Sequence, residues 1–378
     1  MSTPNKKQRI IISVTNDLVA DNRVHKVAGS LIKFGFDVLL VGRKLKESFP
    51  VSREYKTKRF KLLFNKGAMF YACYNIRLFF FLLFAKAEIF LSNDLDTLPA
   101  NFLASKIRNK KLVYDSHEYF TEVPELVNRP KIKRIWESIE KRILPKIKRS
   151  YTVCNSIANV YNKKYGIEMK VVRNIPFCNS ETESKQTPLF SELTKQKKVI
   201  LYQGAVNMGR GIEQVIEAMQ YVNDAFFAII GDGDIYDDAK KLVSQLYLKG
   251  KVFFLGKVPF NELAANTKKA YIGISLEQNI GLNYYYALPN KLFDYIRANL
   301  PVLASRLPEI ENIVKTYNIG CFIENHNPKH IAEKINYMLN SPEQYQTWKE
   351  NLQKASAELC WENEEQVLKE IFIPLKNL

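Results

Sequence analysis

The 378-residue sequence has little cysteine, and its cysteines follow no metal-binding pattern. There are five, an odd number without CxxC spacing, so the sequence predicts neither a disulfide framework nor a zinc cluster. A reducing compartment is the expectation that follows. The five positions are Cys73, Cys154, Cys178, Cys321 and Cys360.

Long apolar segments are also missing. The most apolar stretch, residues 67–91, contains Arg77 and Lys86. Its longest run of apolar residues, residues 78–85, has eight residues. A membrane span needs about 20, so this stretch is predicted to be a buried or interfacial helix. The apolar run at residues 10–12 is too short for the central region of a signal peptide, so a cytosolic protein is expected.

Two common nucleotide-binding motifs are absent. No GxGxxG follows the first predicted strand, and no GxxxxGK[ST] occurs. A dinucleotide-dependent dehydrogenase and a P-loop NTPase therefore lose their main sequence evidence.

Positive charge is abundant but unevenly distributed. The chain has 56 Lys and Arg against 39 Asp and Glu, a formal net charge of +17. Residues 1–178 carry 34 basic and 15 acidic side chains, whereas residues 179–378 carry 22 and 24. The two halves are therefore expected to face different partners.

Apolar strands, such as residues 198–203 and 225–230, alternate with amphipathic helical patterns along most of the chain. This alternation is typical of parallel sheets with helical crossovers. The pattern stops in a polar stretch and then restarts. We therefore predict an α/β protein with two doubly wound domains facing a ligand-binding cleft, and a helical C-terminal tail. The predicted boundaries are residues 1–178 for the first domain, 179–197 for a linker, 198–355 for the second domain and 356–378 for a helix that packs back on the first.

The segment 202–213, YQGAVNMGRGIE, has the residue types of an anion site. Gly204 and Gly209 permit a close backbone approach, and Arg210 stands near a predicted helix start, so a diphosphate would meet a guanidinium and free amides. An ordinary turn with an exposed arginine is the alternative interpretation.

A second anion site is predicted in the segment ALPNKLFDYIRANLPVLA, residues 287–304. Asn290 and Lys291 lie at the positive end of a predicted helix, and Asp294 follows one turn later, where it suits a ribose hydroxyl. Alternatively, Asp294 only stabilises the first turn of that helix.

These segments, with IIGDGD (229–234), VFFLGKVPFNEL (252–263) and LEQNIGLN (276–283), resemble the nucleotide-binding domain of glycosyltransferase family 4, which has the GT-B fold. The N-terminal half is similar to the acceptor-side domain of the same family. There the matching segments are DNRVHKVAGSLIKFGFDVLLV (21–41), SNDLDTLPA (92–100), VYDSHEYF (113–120) and VVRNIPF (171–177).

The resemblance implies a retaining glycosyltransferase that uses a UDP- or GDP-sugar donor and a lipid-linked or polysaccharide-precursor acceptor. It implies that His117 contacts the transferred sugar or acceptor, with Arg23, Asp115 and Glu118 also on the acceptor side. A structural histidine is the alternative for His117. The sequence resembles a subgroup with a PNKLFDY-type donor helix.

The chain departs from the family pattern in the donor domain. Ala205 and Arg210 occupy the places of the usual Arg and Lys, so one cation remains in that loop. Asp294 matches the second of two family glutamates, while Tyr286 stands eight residues before it. Glu277, 17 residues before Asp294, is the candidate for the first glutamate and is predicted to be catalytic.

Two DxD pairs, Asp94 with Asp96 and Asp232 with Asp234, raise the alternative of a divalent metal held against the diphosphate. Chance alone produces such short motifs, and cationic side chains can neutralise the leaving group without metal. We predict no metal and no other cofactor.

The basic N-terminal half requires an anionic partner. The segment 131–149, KIKRIWESIEKRILPKIKR, combines cations with apolar residues at helical spacing, as a helix at an anionic membrane surface would. The alternative for this segment is a solvated helix whose apolar stripe packs on the core of the domain. We therefore expect a peripheral protein on the inner face of the plasma membrane. A GT-B-like nucleotide-sugar 2-epimerase and a basic nucleic-acid-binding protein are the competing functions, although no nucleic-acid-binding signature occurs.

Overall fold

The computed structural model describes residues 7–19, 21–127, 129–178 and 185–376. The chain forms two compact units. One runs to Asn174 and also includes the segment that begins at Glu364, and the other spans Ile175–Asn363.

The first unit is built on a seven-stranded sheet in which all recorded strand pairs are parallel. The strand order is β3-β2-β1-β4-β5-β6-β7. The central strands are apolar and fully buried because helices cover the sheet. The strands are β1 (Arg9–Ser13), β2 (Asp37–Lys44), β3 (Lys56–Lys61), β4 (Ile89–Asn93), β5 (Lys111–Ser116), β6 (Ser150–Thr152) and β7 (Met169–Val171).

Helices connect these strands. Those of the first unit are α1 (Asn22–Lys33), α2 (Gly67–Phe84), α3 (Asp94–Ile107), α4 (Pro124–Val127), α5 (Pro130–Ile143) and α6 (Asn155–Tyr165). Helix α1 is capped by the carboxylate of Asp21, which accepts from the amide of Val24 at 3.0 Å.

The second unit repeats the architecture with a six-stranded parallel sheet of order β10-β9-β8-β11-β12-β13. Its strands are β8 (Lys198–Gln203), β9 (Ala225–Ile230), β10 (Val252–Gly256), β11 (Ile272–Ser275), β12 (Val302–Ser305) and β13 (Gly320–Ile323). The helices from here to the end of the chain are α7 (Pro188–Gln196), α8 (Ile212–Ala218), α9 (Tyr236–Gln245), α10 (Phe260–Lys269), α11 (Leu282–Tyr285), α12 (Asn290–Arg297), α13 (Pro308–Tyr317), α14 (Pro328–Asn340), α15 (Pro342–Glu358) and α16 (Trp361–Phe372).

The predicted fold class, two Rossmann-like parallel-sheet domains with a helical C-terminal part, is confirmed. The sequence pattern missed β3, whose residues KTKRFK are mostly basic because it is an edge strand. Within the predicted linker, residues 179–184 lie outside the described residues, while Pro188–Gln196 is a helix. Phe190 and Leu193 of that helix are buried in the core of the second unit.

The cysteine prediction is wrong for one pair. Cys178 and Cys360, 182 residues apart in sequence, form a disulfide within the second unit. Spacing could not reveal it, because the fold alone brings these two segments together. A carboxylate oxygen of Glu362 lies within 4.8 Å of both sulfurs. In the described part of the chain, these three residues are the one group of His, Cys, Asp or Glu side chains close enough together to hold a metal ion. With the sulfurs bonded to each other, neither offers a thiolate to an ion.

Candidate functional site

Polar side chains collect at the carboxyl ends of the parallel strands in each unit, where ligands of such sheets bind. In the first unit they follow β4 and β5, which pair in register with Asn93 opposite Asp115. In the second they follow β8 and β11, which also pair with each other.

His117 lies just beyond β5 and is held from two sides. Its Nε2 is 3.1 Å from Asn93 Oδ1 and 3.2 Å from Asp115 Oδ2. On the other side, Asp94 accepts a hydrogen bond from the His117 amide at 2.8 Å and approaches the ring Nδ1 to 3.4 Å. The ring is therefore fixed in orientation while about a fifth of the side chain remains exposed.

Arg23 of α1 belongs to the same cluster through its contacts with Asp115. Its guanidinium donates to both carboxylate oxygens of Asp115, at 2.7 and 3.2 Å, and to the carbonyl of Val172 at 2.8 Å. Arg23 and Asp115 are almost completely buried. A bidentate pair of this kind fixes both partners, so Asp115 presents its charge to His117 in one geometry.

The charges in this cluster set its protonation states. Burial by itself would lower the pKa of His117, but Asp94 and Asp115 raise it to about 9. Burial would raise the pKa of Asp115, but Arg23 and His117 lower it to about 2. At neutral pH the imidazole is therefore protonated, and it acts as a hydrogen-bond donor and a positive charge rather than as a base.

We expect this protonation to appear in the pH dependence of stability. The folded pKa of His117 lies above its ordinary value of 6.5, so the stabilisation is complete below about pH 6.5 and is lost as the pH rises through 9. The free energy of unfolding of the first unit should fall by on the order of 2 kcal/mol across this range and should not do so in His117→Asn. Asp94→Asn should move the fall to lower pH. Identical slopes in wild type and His117→Asn, measured by urea unfolding, would contradict this assignment.

Three residues of this cluster were not among the predicted site residues: Asn93, Asp94 and Asp96. Asp94 has a positive φ of 56°, a backbone conformation uncommon outside glycine, asparagine and aspartate, at the turn from β4 into α3. Asp96 is buried, accepts from Thr15 Oγ1 at 2.6 Å, and has a pKa raised to about 7 by burial and by Asp94. The predicted acceptor-side residue Glu118 is partly exposed next to His117, and its carbonyl accepts from Ser116 Oγ.

In the second unit, the loop from Gly204 to Gly211 turns the chain from β8 into α8. Gly211 has φ +75°, and a Cβ there would lie 2.4 Å from the carbonyl oxygen of Leu276, which no side chain could accept. The loop also hydrogen-bonds to the chain after β11, since Gln278 donates to the carbonyl of Gly209 at 2.8 Å. These contacts bring Arg210 to Glu277.

Glu277, completely buried, is the centre of a charged cluster. Its Oε1 lies 2.9 Å from Lys291 Nζ and 3.7 Å from Arg210 Nη1, and its Oε2 accepts from Ser275 Oγ at 2.8 Å. Burial would raise the pKa of Glu277, but Lys291 and Arg210 bring it below its ordinary value. One buried carboxylate thus holds two cations.

The two cations are also placed against aromatic rings. Lys291 Nζ lies 4.0 Å from the centre of the Tyr202 ring, and the Arg210 guanidinium lies 4.7 Å from that of Tyr284. Arg210 Nε is buried and has no hydrogen-bond partner among the described residues. With two cations against one carboxylate, the cluster has an excess positive charge that a bound anion would satisfy.

Helix α12 carries the other predicted donor-side residues. Asn290 is exposed at its first position, and Lys291 follows. One turn later the Asp294 carboxylate accepts from Gln203 Nε2 at 2.9 Å, and Gln203 Oε1 accepts from Thr267 at 2.7 Å. This chain of hydrogen bonds orients a partly exposed carboxylate at the end of β8.

The DxD pairs have other partners. Asp232 pairs with Lys257 at 3.2 Å, and Asp234 accepts from the Met208 amide at 3.2 Å. Asp94 and Asp96 contact His117 and Thr15, as described above.

The structure thus brings the predicted residues together within each unit. Arg23, Asp115 and His117 form one cluster, and Arg210, Glu277 and Lys291 form the other. Glu277 became a candidate only through the resemblance, because the 13 residues between it and Lys291 conceal their contact.

Comparison with known proteins finds a family match within the second unit. Residues 185–355 match the model of a family described as "Glycosyl transferases group 1". An uncharacterized glycosyltransferase of Methanocaldococcus jannaschii is 27% identical over 163 residues, 43% of this chain and 44% of that protein. The O-antigen chain mannosyltransferase RfbU of Salmonella typhimurium is 28% identical over 169 residues, 44% of this chain and 43% of that protein. The matches span less than half the length of these relatives.

Solved structures resemble the whole chain. Sucrose-phosphate synthase from Thermosynechococcus elongatus has a TM-score of 0.80 at 15% identity, covering 98% of this chain and 99% of that one. HepE of Anabaena in complex with UDP-glucose has a TM-score of 0.75 at 14% identity, covering 97% and 99%. The lipopolysaccharide-biosynthesis glycosyltransferase WaaG has a TM-score of 0.70 at 14% identity, covering 96% and 99%. The chain therefore has the GT-B fold, and its residues 185–355 match the group 1 glycosyltransferases, which supports the prediction of a transferase enzyme.

Proposed function

We propose that this protein is a retaining glycosyltransferase of family 4 type that moves a sugar from a UDP- or GDP-sugar to a lipid-linked or polysaccharide-precursor acceptor. The observation that carries the proposal is the cluster of Arg210, Lys291 and Glu277. Two cations around one buried carboxylate leave a net positive charge at the carboxyl end of a parallel sheet, which suits a diphosphate.

The cluster would act mainly on the leaving group. In the transfer, the bond between the anomeric carbon and the β-phosphate oxygen breaks, and a bond to the acceptor oxygen forms. The acceptor proton passes to the departing diphosphate, so no side-chain base is required. Arg210 and Lys291 would neutralise the charge that develops on that diphosphate, and Glu277 would position both cations.

The remaining donor-side contacts extend from this cluster. The amides at Gly204 and Gly209 would approach the phosphates, with Asn290 at the start of α12. Asp294, oriented by Gln203, would accept from a ribose hydroxyl. No metal or other cofactor is needed for these contacts.

On the acceptor side, His117 would donate a hydrogen bond or supply positive charge to the sugar or acceptor, because its raised pKa keeps it protonated. Arg23 and Asp115 would hold the ring through the contacts described above, and Glu118 would contact the acceptor from its partly exposed position beside His117.

The names of similar proteins support the donor and acceptor classes. HepE has been crystallised with UDP-glucose, and a trehalose-6-phosphate enzyme of E. coli, similar to this chain at TM-score 0.73, with UDP-2-fluoro glucose. RfbU is named as an O-antigen chain mannosyltransferase. These names support a nucleotide-sugar donor and a glycan acceptor for this chain. The place of the transfer, the cytoplasmic face of the plasma membrane, is part of the proposal and does not rest on these names.

Nucleotide binding tests the proposal without an acceptor. We expect UDP-, GDP- or dTDP-sugars, added singly at the same concentration, to raise Tm, and a donor present at 1,000 times its Kd to stabilise the protein by about 4 kcal/mol. One base should give a larger rise than the others. The absence of a shift with all three would reject the donor site, and release of free sugar without an acceptor would favour a 2-epimerase.

A further inference from the structure

Helix α2 is apolar on both of its faces. Phe70, Tyr74, Leu78 and Leu82 are buried against the sheet of the first unit. The opposite face repeats at helical spacing and is exposed by half or more, at Met69, Ile76, Phe80 and Phe84. By length and composition, α2 is the one described helix that is long and apolar enough to cross a membrane. Of its 18 residues, 22% are buried in the fold.

Helix α3 extends the exposed apolar surface. Leu103 and Ile107, one turn apart, are exposed by 52% and 67%. Arg108 donates to the carbonyls of Leu82 and Ala85, which ties the C-terminal ends of α2 and α3 together. We call the six exposed side chains the α2–α3 apolar face: Met69, Ile76, Phe80, Phe84, Leu103 and Ile107.

Cations border this face at its C-terminal end. Lys86 lies two residues beyond the end of α2, and Lys106 lies between Leu103 and Ile107; both lysines are exposed. The ammonium groups of Lys106 and Lys146 lie 5.7 and 5.9 Å from the ring of Phe102, so Lys146 lies beside the last turn of α3, which carries Lys106. Of the acidic residues in 62–110, Asp94 and Asp96 lie at the opposite end of α3, and Glu88 accepts from the Arg9 amide.

We propose that the α2–α3 apolar face docks on the surface of an anionic lipid bilayer. Apolar side chains with a cationic border match the layering of such a surface, in which acyl chains lie beneath negative headgroups. The inner face of α2 stays packed on the sheet, so the helix lies on the membrane and does not cross it. This inference rests on the proposed function and deepens it, because docking on the bilayer would bring the protein to a lipid-linked acceptor.

The charges favour a bilayer over other occupants of this face. A two-fold contact with a second copy would oppose Lys86, Lys106 and Lys146 to their own counterparts, which is repulsive. A nucleic acid would use these cations, but it would leave apolar side chains such as Phe84, 83% exposed, without a partner.

Co-sedimentation of the full chain with vesicles tests the proposal. We expect binding to phosphatidylglycerol vesicles at 0.15 M salt, much weaker binding at 1 M salt because the lysines are screened, and little binding to phosphatidylcholine. Replacing the three lysines by glutamine should lower the partition coefficient about 100-fold. Phe80→Gln with Phe84→Gln should lower it at least about tenfold.

Matched variants in the second unit serve as controls. One control variant, Tyr247→Gln with Leu189→Gln, removes two exposed apolar side chains. The other replaces three exposed lysines by glutamine: Lys195, Lys268 and Lys269. These variants should bind vesicles as wild type does, and all variants should keep the wild-type circular dichroism spectrum.

Three results would overturn the proposal. The first is that the wild type fails to bind phosphatidylglycerol vesicles at low salt. The second is that the first-unit variants and the control variants bind equally well. The third is that the protein forms a dimer, which the double substitution Phe80→Gln and Phe84→Gln dissociates. Preferential retention on duplex DNA or RNA at physiological salt would assign the cations to nucleic acid instead. Vesicle binding without any nucleotide-sugar effect on Tm would retain this surface and reject the proposed function.

Discussion

Replacing Arg210 or Lys291 by alanine is expected to lower kcat/KM for the nucleotide-sugar donor by roughly 30- to 1,000-fold, or 2–4 kcal/mol of transition-state stabilisation. Both cations are largely buried and held by Glu277, at 3.7 and 2.9 Å, before any substrate arrives. A preorganised charge of this kind needs no reorganisation when the diphosphate leaves. Steady-state kinetics with the donor that stabilises the protein most would measure the effect.

Lys241→Ala provides the matched control for this prediction. Lys241 lies in the same unit but is 71% exposed and pairs with Asp238 on the surface of α9, so its loss should change kcat/KM less than twofold. If the Arg210 and Lys291 variants both turned over the donor as fast as Lys241→Ala, neither cation would contact the diphosphate.

Replacing Arg23 by methionine should destabilise the first unit by about 3–5 kcal/mol. Arg23 and Asp115 have exposed side-chain fractions of 4% and 0%, so the variant leaves a buried carboxylate without its guanidinium. Although His117 remains beside Asp115, its ring makes one contact where Arg23 makes two. Urea unfolding followed by fluorescence of Trp136, in the same unit, would measure the loss.

Two further variants separate the buried charge from the general effect of losing an arginine. Arg9→Met breaks a pair with Asp37 in which each side chain is about one third exposed, and it should cost less than about 1 kcal/mol. Adding Asp115→Asn to Arg23→Met removes the orphaned charge and should restore part of the stability. Equal losses in Arg9→Met and Arg23→Met would show that the buried pair contributes no more than a surface pair.

Local sequence patterns predicted most of the fold because the strands at the centre of each sheet are buried on both faces. Residues 198–203 and 225–230, predicted as strands from their apolar runs, are β8 and β9 with the same bounds. The pattern failed at and next to the edges of the first sheet. The basic β3 and the three-residue β6 and β7 have too few apolar residues to stand out from loops.

The site was predictable where its residues are close in sequence and hidden where they meet through the fold. Arg210 stands at a recognisable strand-to-helix turn, and Lys291 at a recognisable helix N-terminus. Asp94 gave no local signal for its contact with His117, because that contact depends on β4 and β5 being neighbours and on a positive φ at Asp94. The bond between Cys178 and Cys360 was hidden for the same reason, since 182 residues separate them.

The structure of the protein with a bound nucleotide sugar tests the central claim most directly. The account predicts that the diphosphate lies within hydrogen-bond distance of the Arg210 guanidinium and Lys291 Nζ, with a ribose hydroxyl at Asp294. A diphosphate bound away from both cations, with the pair of Lys291 and Glu277 unchanged, would contradict it.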